Sequence, residues 1–317
     1  MKHFKSMREA EEVFKALSAP MRLRIMELLY GEGDLKLDDL ARELKITNSA
    51  VSMHVERLVS AGLVKVSAMP GARGVCKVCK PCFDGRMVDM RPSGKQKNFY
   101  MDDIPVGAYH ECLVTPTCGI ATCKQIIGEF DMPKYFMFPN HYDAGVFWFG
   151  TGYVLYHLPN RLKPGEKLVK LTLSLELSSE YPGYNEDFPS DIYFEVAGVS
   201  LGKWISPGDY GSRRGHYTPS WWPVVCNQYG LLKTLSVTEE GTFIDGGYRI
   251  GDVTINDLKI DYSTEITFKI SVPKDTKNCG GLTVFGKGFG DYDQGIVCTE
   301  YYEVSICMFR HCMAVYF

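Results

Sequence analysis

The chain has 317 residues and a formal net charge of −3, room for two domains of about 100–200 residues each. Apolar residues make up 45% and charged residues 23%, an ordinary globular balance that excludes disordered and fibrous classes. No apolar run approaches the ~18 residues of a membrane span, Met1–Arg8 lacks the apolar core of a secretion signal, and eleven cysteines fit reduced thiols, so a cytoplasmic protein with no membrane partner is expected.

Helical spacing dominates the first 62 residues. Apolar positions recur in Val13, Phe14 and Leu17, then in Leu23, Met26, Leu29 and Tyr30, and again in Leu37, Leu40, Ala41 and Leu44. Pro20 stands where a second helix begins, since a first-turn residue has no use for its N–H. The stretch Tyr30–Asp34, with two glycines, ends that helix. Asp38 is the expected cap of a third helix ending near Lys45, Thr47 or Asn48 caps a fourth, and Gly62 closes it. From Leu63 the period shortens to two, and 63–66 and 75–78 read as a hairpin around the turn 70–74. Residues 83–110 are polar, with 93–110 read as a linker.

The rest reads as β structure. Leu171, Leu173, Leu175 and Leu177 alternate with polar residues, as do Ile266, Phe268, Ile270 and Val272, which predicts half-buried strands. Further strands are expected at 191–199, 242–250, 253–260, 282–286 and 301–309. The predicted fold class is therefore α+β in two domains: a winged helix-turn-helix over 1–92 and an antiparallel, jelly-roll-like β-sandwich over 93–317.

The helix-turn-helix carries the first functional expectation. Residues 1–95 hold 17 Lys and Arg against 12 Asp and Glu, a net +5, whereas the remainder holds 18 against 26, a net −8. A fourth helix with Val51, Val55, Leu58 and Val59 turned inward leaves Thr47, Asn48, Ser49, Ser52, Met53, His54 and Arg57 facing outward, with Arg73 at the hairpin tip. Small hydroxyl and amide groups near a helix start suit phosphate anchoring and base-edge contact in a major groove. The segment Leu40–Val64, with Leu17–Ile25 before it, resembles the ArsR family of bacterial transcriptional regulators. The likeness covers roughly residues 8–82. It implies a homodimer on palindromic double-stranded operator DNA, acting as a repressor released by an effector. The metal-sensing cysteine pair that the family often carries on its third helix has no counterpart in Asp38–Lys45, which contains no Cys.

A large β domain beside such a reader is expected to sense a small molecule. All four tryptophans fall between Trp148 and Trp222, near Tyr153, Arg213, Arg214, His216 and Tyr229. With Trp221, these form the predicted ligand set. Aromatic faces beside hydrogen-bonding side chains suit a sugar, so a carbohydrate is the expected effector. Architecture alone also likens the second half to sugar-binding sandwich domains. No cofactor is expected, and the chain is not read as an enzyme: Gly286–Gly290 is a turn rather than a phosphate cradle, and Asp291 and Asp293 have a common spacing. Cys76, Cys79 and Cys82 have the two-residue separations of a metal or redox site, for which Cys112 or Cys118 is the candidate fourth ligand. An extended strand, however, turns Cys76 and Cys79 to opposite faces. The alternatives are thus a thiol- or metal-responsive regulator, or a carbohydrate-active or carbohydrate-binding sandwich whose helical head only dimerises.

Overall fold

A computed structural model describes residues 2–4, 7–71, 74–82, 86–88 and 98–304. The chain divides into two compact units, Met1–Lys95 and Gln96–Phe317.

In the first unit, strand β1 (Lys2–Phe4) is followed by helices α1 (Glu11–Leu17) and α2 (Pro20–Glu32), strand β2 (Leu35–Lys36), and helices α3 (Leu37–Leu44) and α4 (Asn48–Ser60). Strands β3 (Val64–Gly71) and β4 (Gly74–Pro81) complete the hairpin, and β5 (Arg86–Val88) pairs in parallel with β1. The wing sheet has the order β2–β4–β3. Pro20 opens α2, as its missing N–H dictates. Asp38 is not the cap of α3: Lys36 holds that position without a side-chain bond, and Asp38 sits inside the first turn. Thr47 does cap α4, its Oγ1 accepting from Ala50 N at 3.3 Å. Gly62 follows α4 at φ 69°, the left-handed conformation that glycine adopts without a Cβ penalty.

Val51, Val55 and Leu58 are buried against Ile25, Leu29 and Leu40 in one core, each contributing about 1.5–3 kcal/mol of burial. Val59, expected on the inner face, is exposed; the 100° step per residue carries it one position past the buried stripe. Phe14, Leu23 and Tyr30 are likewise 41–44% exposed on α1 and α2.

The second unit contains β6 (Asn98–Ile104), β7 (Glu111–Ala121), β8 (Val146–Leu158), β9 (Glu166–Ser178), β10 (Ser190–Val196), β11 (Val199–Ser206), β12 (Leu231–Thr238), β13 (Gly241–Ile244), β14 (Tyr248–Gly251), β15 (Ile266–Val272), β16 (Leu282–Phe285) and β17 (Ile296–Val304). These strands form one antiparallel sheet, with the path β11–β10–β15–β8–β16–β9–β12–β13–β14 and with β7, β17 and β6 branching from β8 and β9. The path curls almost into a barrel: a Cβ added at Gly202 of β11, where φ is +113°, would strike the Ile250 carbonyl of β14. The two-domain α+β class expected from sequence is thus realised with a single curled sheet.

Several local expectations change. The segment read as a linker contributes β6, which pairs with β17 from Asn98 to Ile104. The expected strand 191–199 is two strands with a turn at Ala197 and Gly198, and 242–250 is likewise split around Asp245–Gly247. Residues 253–260 form turns, not a strand. Strand β17 starts earlier than expected, and residues 305–309 lie outside the described residues. Strand β9 is covered on both faces. Its leucines enter the core, and Thr172, Ser174 and Glu176 are buried as well, because Gln294 bonds Ser174 while the backbone N–H groups of Gly230, Asp291 and Tyr292 donate to Glu176.

Candidate nucleic-acid interface and ligand cleft

The outward face of α4 has the composition a groove reader needs. Thr47, Asn48, Ser49, Met53 and Arg57 are exposed, and Ser52 and His54 are half-buried. Asn48 is partly committed, its Nδ2 donating to Asp38 Oδ1 at 2.7 Å, which ties the start of α4 to α3. Seven of the eight predicted contacts therefore share one helix start and face; the eighth, Arg73, lies outside the described residues. The wing cysteines behave as the strand period requires. Cys79 is buried, and burial pushes its thiol up to about 11, whereas Cys76 faces the other way and its Sγ donates to the Met69 carbonyl. Cys82 is half-buried after β4, and Cys112 lies on β7 in the other unit. Among the described residues no three His, Cys, Asp or Glu side chains converge as a metal site would require.

Residues 19–66 match the family model described as bacterial regulatory protein, arsR family. Over this segment the chain is similar to ArsR-family helix-turn-helix domains. The uncharacterized HTH-type transcriptional regulator MJ1325 of Methanocaldococcus jannaschii is 39% identical over 57 residues, which are 18% of this chain and 64% of that protein. The match thus spans less than two thirds of the relative. A solved structure, dimeric latent PorU from Porphyromonas gingivalis, aligns with 73% of this chain and 16% of its own at 8% identity. Its TM-score of 0.22 is too low to bear on fold or function. No helix among the described residues is long and apolar enough to cross a membrane.

In the β unit a cleft of about 260 Å³ opens between Trp148 of β8, Thr117 of β7, the loop residues Phe130 and Asp131, the Glu180–Gly183 turn after β9, and Trp222, Cys226 and Asn227. Of the eight ligand residues predicted from sequence, only Trp148 and Trp222 line it. Their rings meet edge to face, with centroids 5.7 Å apart, and Trp222 Nε1 donates to the Asn227 carbonyl at 2.7 Å. Trp221 donates instead to the Cys123 carbonyl. Arg214 braces the loop by donating to the Pro219 and Trp222 carbonyls.

Arg213, His216 and Tyr229 form a separate cluster. Arg213 pairs with Asp291 at 2.5 Å and lies 3.8 Å over the Tyr229 ring, and the His216 backbone N–H donates to the same carboxylate. Burial lowers the His216 pKa from its ordinary value. Tyr153 belongs to neither group: its hydroxyl donates to Glu111. The residues gathered by composition in sequence are thus spread over several places in the β unit.

Sequence reasoning missed the acidic floor. Glu180 is 7% exposed. Its Oε1 accepts from Thr117 at 3.1 Å, and its Oε2 accepts from Thr283 at 3.2 Å and Asn227 at 3.4 Å. Burial first, and then the neighbouring carboxylates of Asp209 and Asp131, push its pKa well above the ordinary range. Asp209, fully buried behind it, is pushed up to about 7 by desolvation, against the opposing bonds from the Tyr181 N–H and Ser178 Oγ. The one available signal was a glutamate directly after a strand and before Tyr181-Pro182-Gly183. Nothing in its spacing brings it to Trp148.

Proposed function

We propose that this chain is a DNA-binding transcriptional regulator whose β unit binds a small-molecule effector. The observation that carries the reading is the exposed hydroxyl, amide and guanidinium face of α4 inside a segment similar to ArsR-family domains. Hydroxyls and amides at a helix start position a reader on phosphates and base edges, and Arg57 adds a phosphate contact. A homodimer on a palindromic operator fits the exposed apolar side chains Phe14, Leu23 and Tyr30 on α1 and α2, because paired readers need a shared apolar seam. We place it in the cytoplasm as a repressor, a binding protein rather than an enzyme. Of the residues expected to hold a sugar, Trp148 and Trp222 line the cleft, Arg213, His216 and Tyr229 gather at Asp291, and the others belong to neither, so the effector is a small molecule whose chemistry is set by the cleft. An effector there shifts DNA affinity only through unequal affinity for the DNA-competent and DNA-incompetent states.

A gel shift with duplex DNA from upstream of the protein's own gene tests the reading. The double substitution Ser52→Ala with Arg57→Ala is expected to weaken the shift while the protein stays folded by circular dichroism. An undiminished shift would overturn the contact assignment.

A further inference from the structure

The cleft walls are aromatic but not parallel. Phe130 and Trp148 are inclined at 53° with centroids 5.6 Å apart, and Trp148 and Trp222 at 72°. Rings at these angles pack against one another and border the cleft from more than one side. The side-chain donors of Thr117, Asn227 and Trp222 are already spent on Glu180, Thr283 and a backbone carbonyl, which leaves Tyr181 as the exposed hydroxyl among the lining residues. Glu180 lies at the floor and Asp131 at the exposed edge. No lysine or arginine lines the cleft among the described residues, and Glu180 has no basic partner among them either. Burial and the neighbouring carboxylates favour the protonated form of Glu180 in the empty cleft, so a cation entering there displaces that proton to meet a carboxylate at the floor, while Asp131 at the edge and the aromatic rings attract positive charge directly.

We infer that the Trp148–Trp222 cleft is a binding site for a small organic ammonium ion, bordered by Phe130, Trp148 and Trp222, with Asp131 and the ionised form of Glu180 as its counter-ions. The volume of about 260 Å³ is just under the range of drug-sized pockets, so the guest is small. An anion lacks the complementarity, because no cationic side chain lines the cleft among the described residues.

Calorimetric titration of the full chain, without DNA, tests this with choline and its neutral isostere 3,3-dimethylbutan-1-ol, which differ in little but charge. Choline is expected to bind at least about tenfold more tightly than the alcohol, and Glu180→Gln is expected to erase most of that difference. Asp131→Asn is the second variant, because asparagine tolerates the φ of 59° at this exposed position; it is expected to weaken choline by a smaller factor. Absence of choline saturation, equal affinity for the two compounds, retention of the preference in both variants, or saturation by glucose but not by choline would each overturn the inference. With no DNA in the cell, the outcome is independent of whether α4 reads a duplex.

Discussion

The acidic floor of the β unit makes its stability fall as pH rises, and Asp209→Asn isolates one source of that fall. Asp209 is fully buried, and its pKa is raised from 3.8 to about 7 by desolvation. Between those values the folded state holds a proton that the unfolded chain has released, so stability declines as pH rises through the window and is flat above it. At 1.36 kcal/mol per pH unit, the whole window corresponds to about 4 kcal/mol, of which about 3 kcal/mol falls above pH 5. Glu180, also raised, acts in the same direction. The asparagine amide keeps an oxygen for the Tyr181 N–H and turns its NH₂ toward Ser178 Oγ, so the substitution fits the site. All four tryptophans lie between residues 148 and 222, so urea unfolding followed by tryptophan fluorescence reports this unit alone. The native chain is expected to lose several kcal/mol between about pH 5 and pH 8, and Asp209→Asn to lose about 3 kcal/mol less. A pH-independent offset between the two proteins would refute the assignment of a buried, proton-holding Asp209.

Neighbouring residues on α4 are expected to respond in opposite ways. Leu58→Ala, in the core, should cost about 2–5 kcal/mol by far-ultraviolet circular dichroism, whereas exposed Arg57→Ala should leave stability within about 0.5 kcal/mol and reduce the salt dependence of DNA binding by about one phosphate contact. Thr47→Ala removes the α4 cap and should cost about 1 kcal/mol in the same measurement. Gly202→Ala pushes a Cβ into the Ile250 carbonyl at φ +113° and should lower the urea midpoint of the β unit by the equivalent of about 1–3 kcal/mol. An unchanged midpoint would mean that β11 and β14 do not close on each other.

Legibility followed the range of the interactions. Pro20, Thr47 and Gly62 act on their own turns through missing N–H, side-chain acceptor and absent Cβ, so sequence placed α2, α4 and the wing closely. The outward face of α4 followed from the same 3.6-residue period. Strand β9 shows where local pattern stops. Its alternation reads as half-buried, yet its polar face is sealed by Gln294 and the 291–292 backbone, over a hundred residues downstream. The cleft depends on the same long-range closure. Thr117, Glu180 and Trp222 meet only because β7, β8, β16 and β9 are successive neighbours in one curled sheet. The cluster at 209–229 drew attention by composition, and composition does not separate a side chain that braces a loop, such as Arg214, from one that faces a ligand.

The most direct measurement is fluorescence anisotropy of the full chain on labelled upstream duplex over a series of salt concentrations. Saturable binding is expected, with a log affinity that falls linearly with log salt by about 0.9 for each phosphate contacted, and with a shallower slope for Arg57→Ala. No binding at low salt, or binding whose slope is the same with and without Arg57, would contradict a DNA-reading α4.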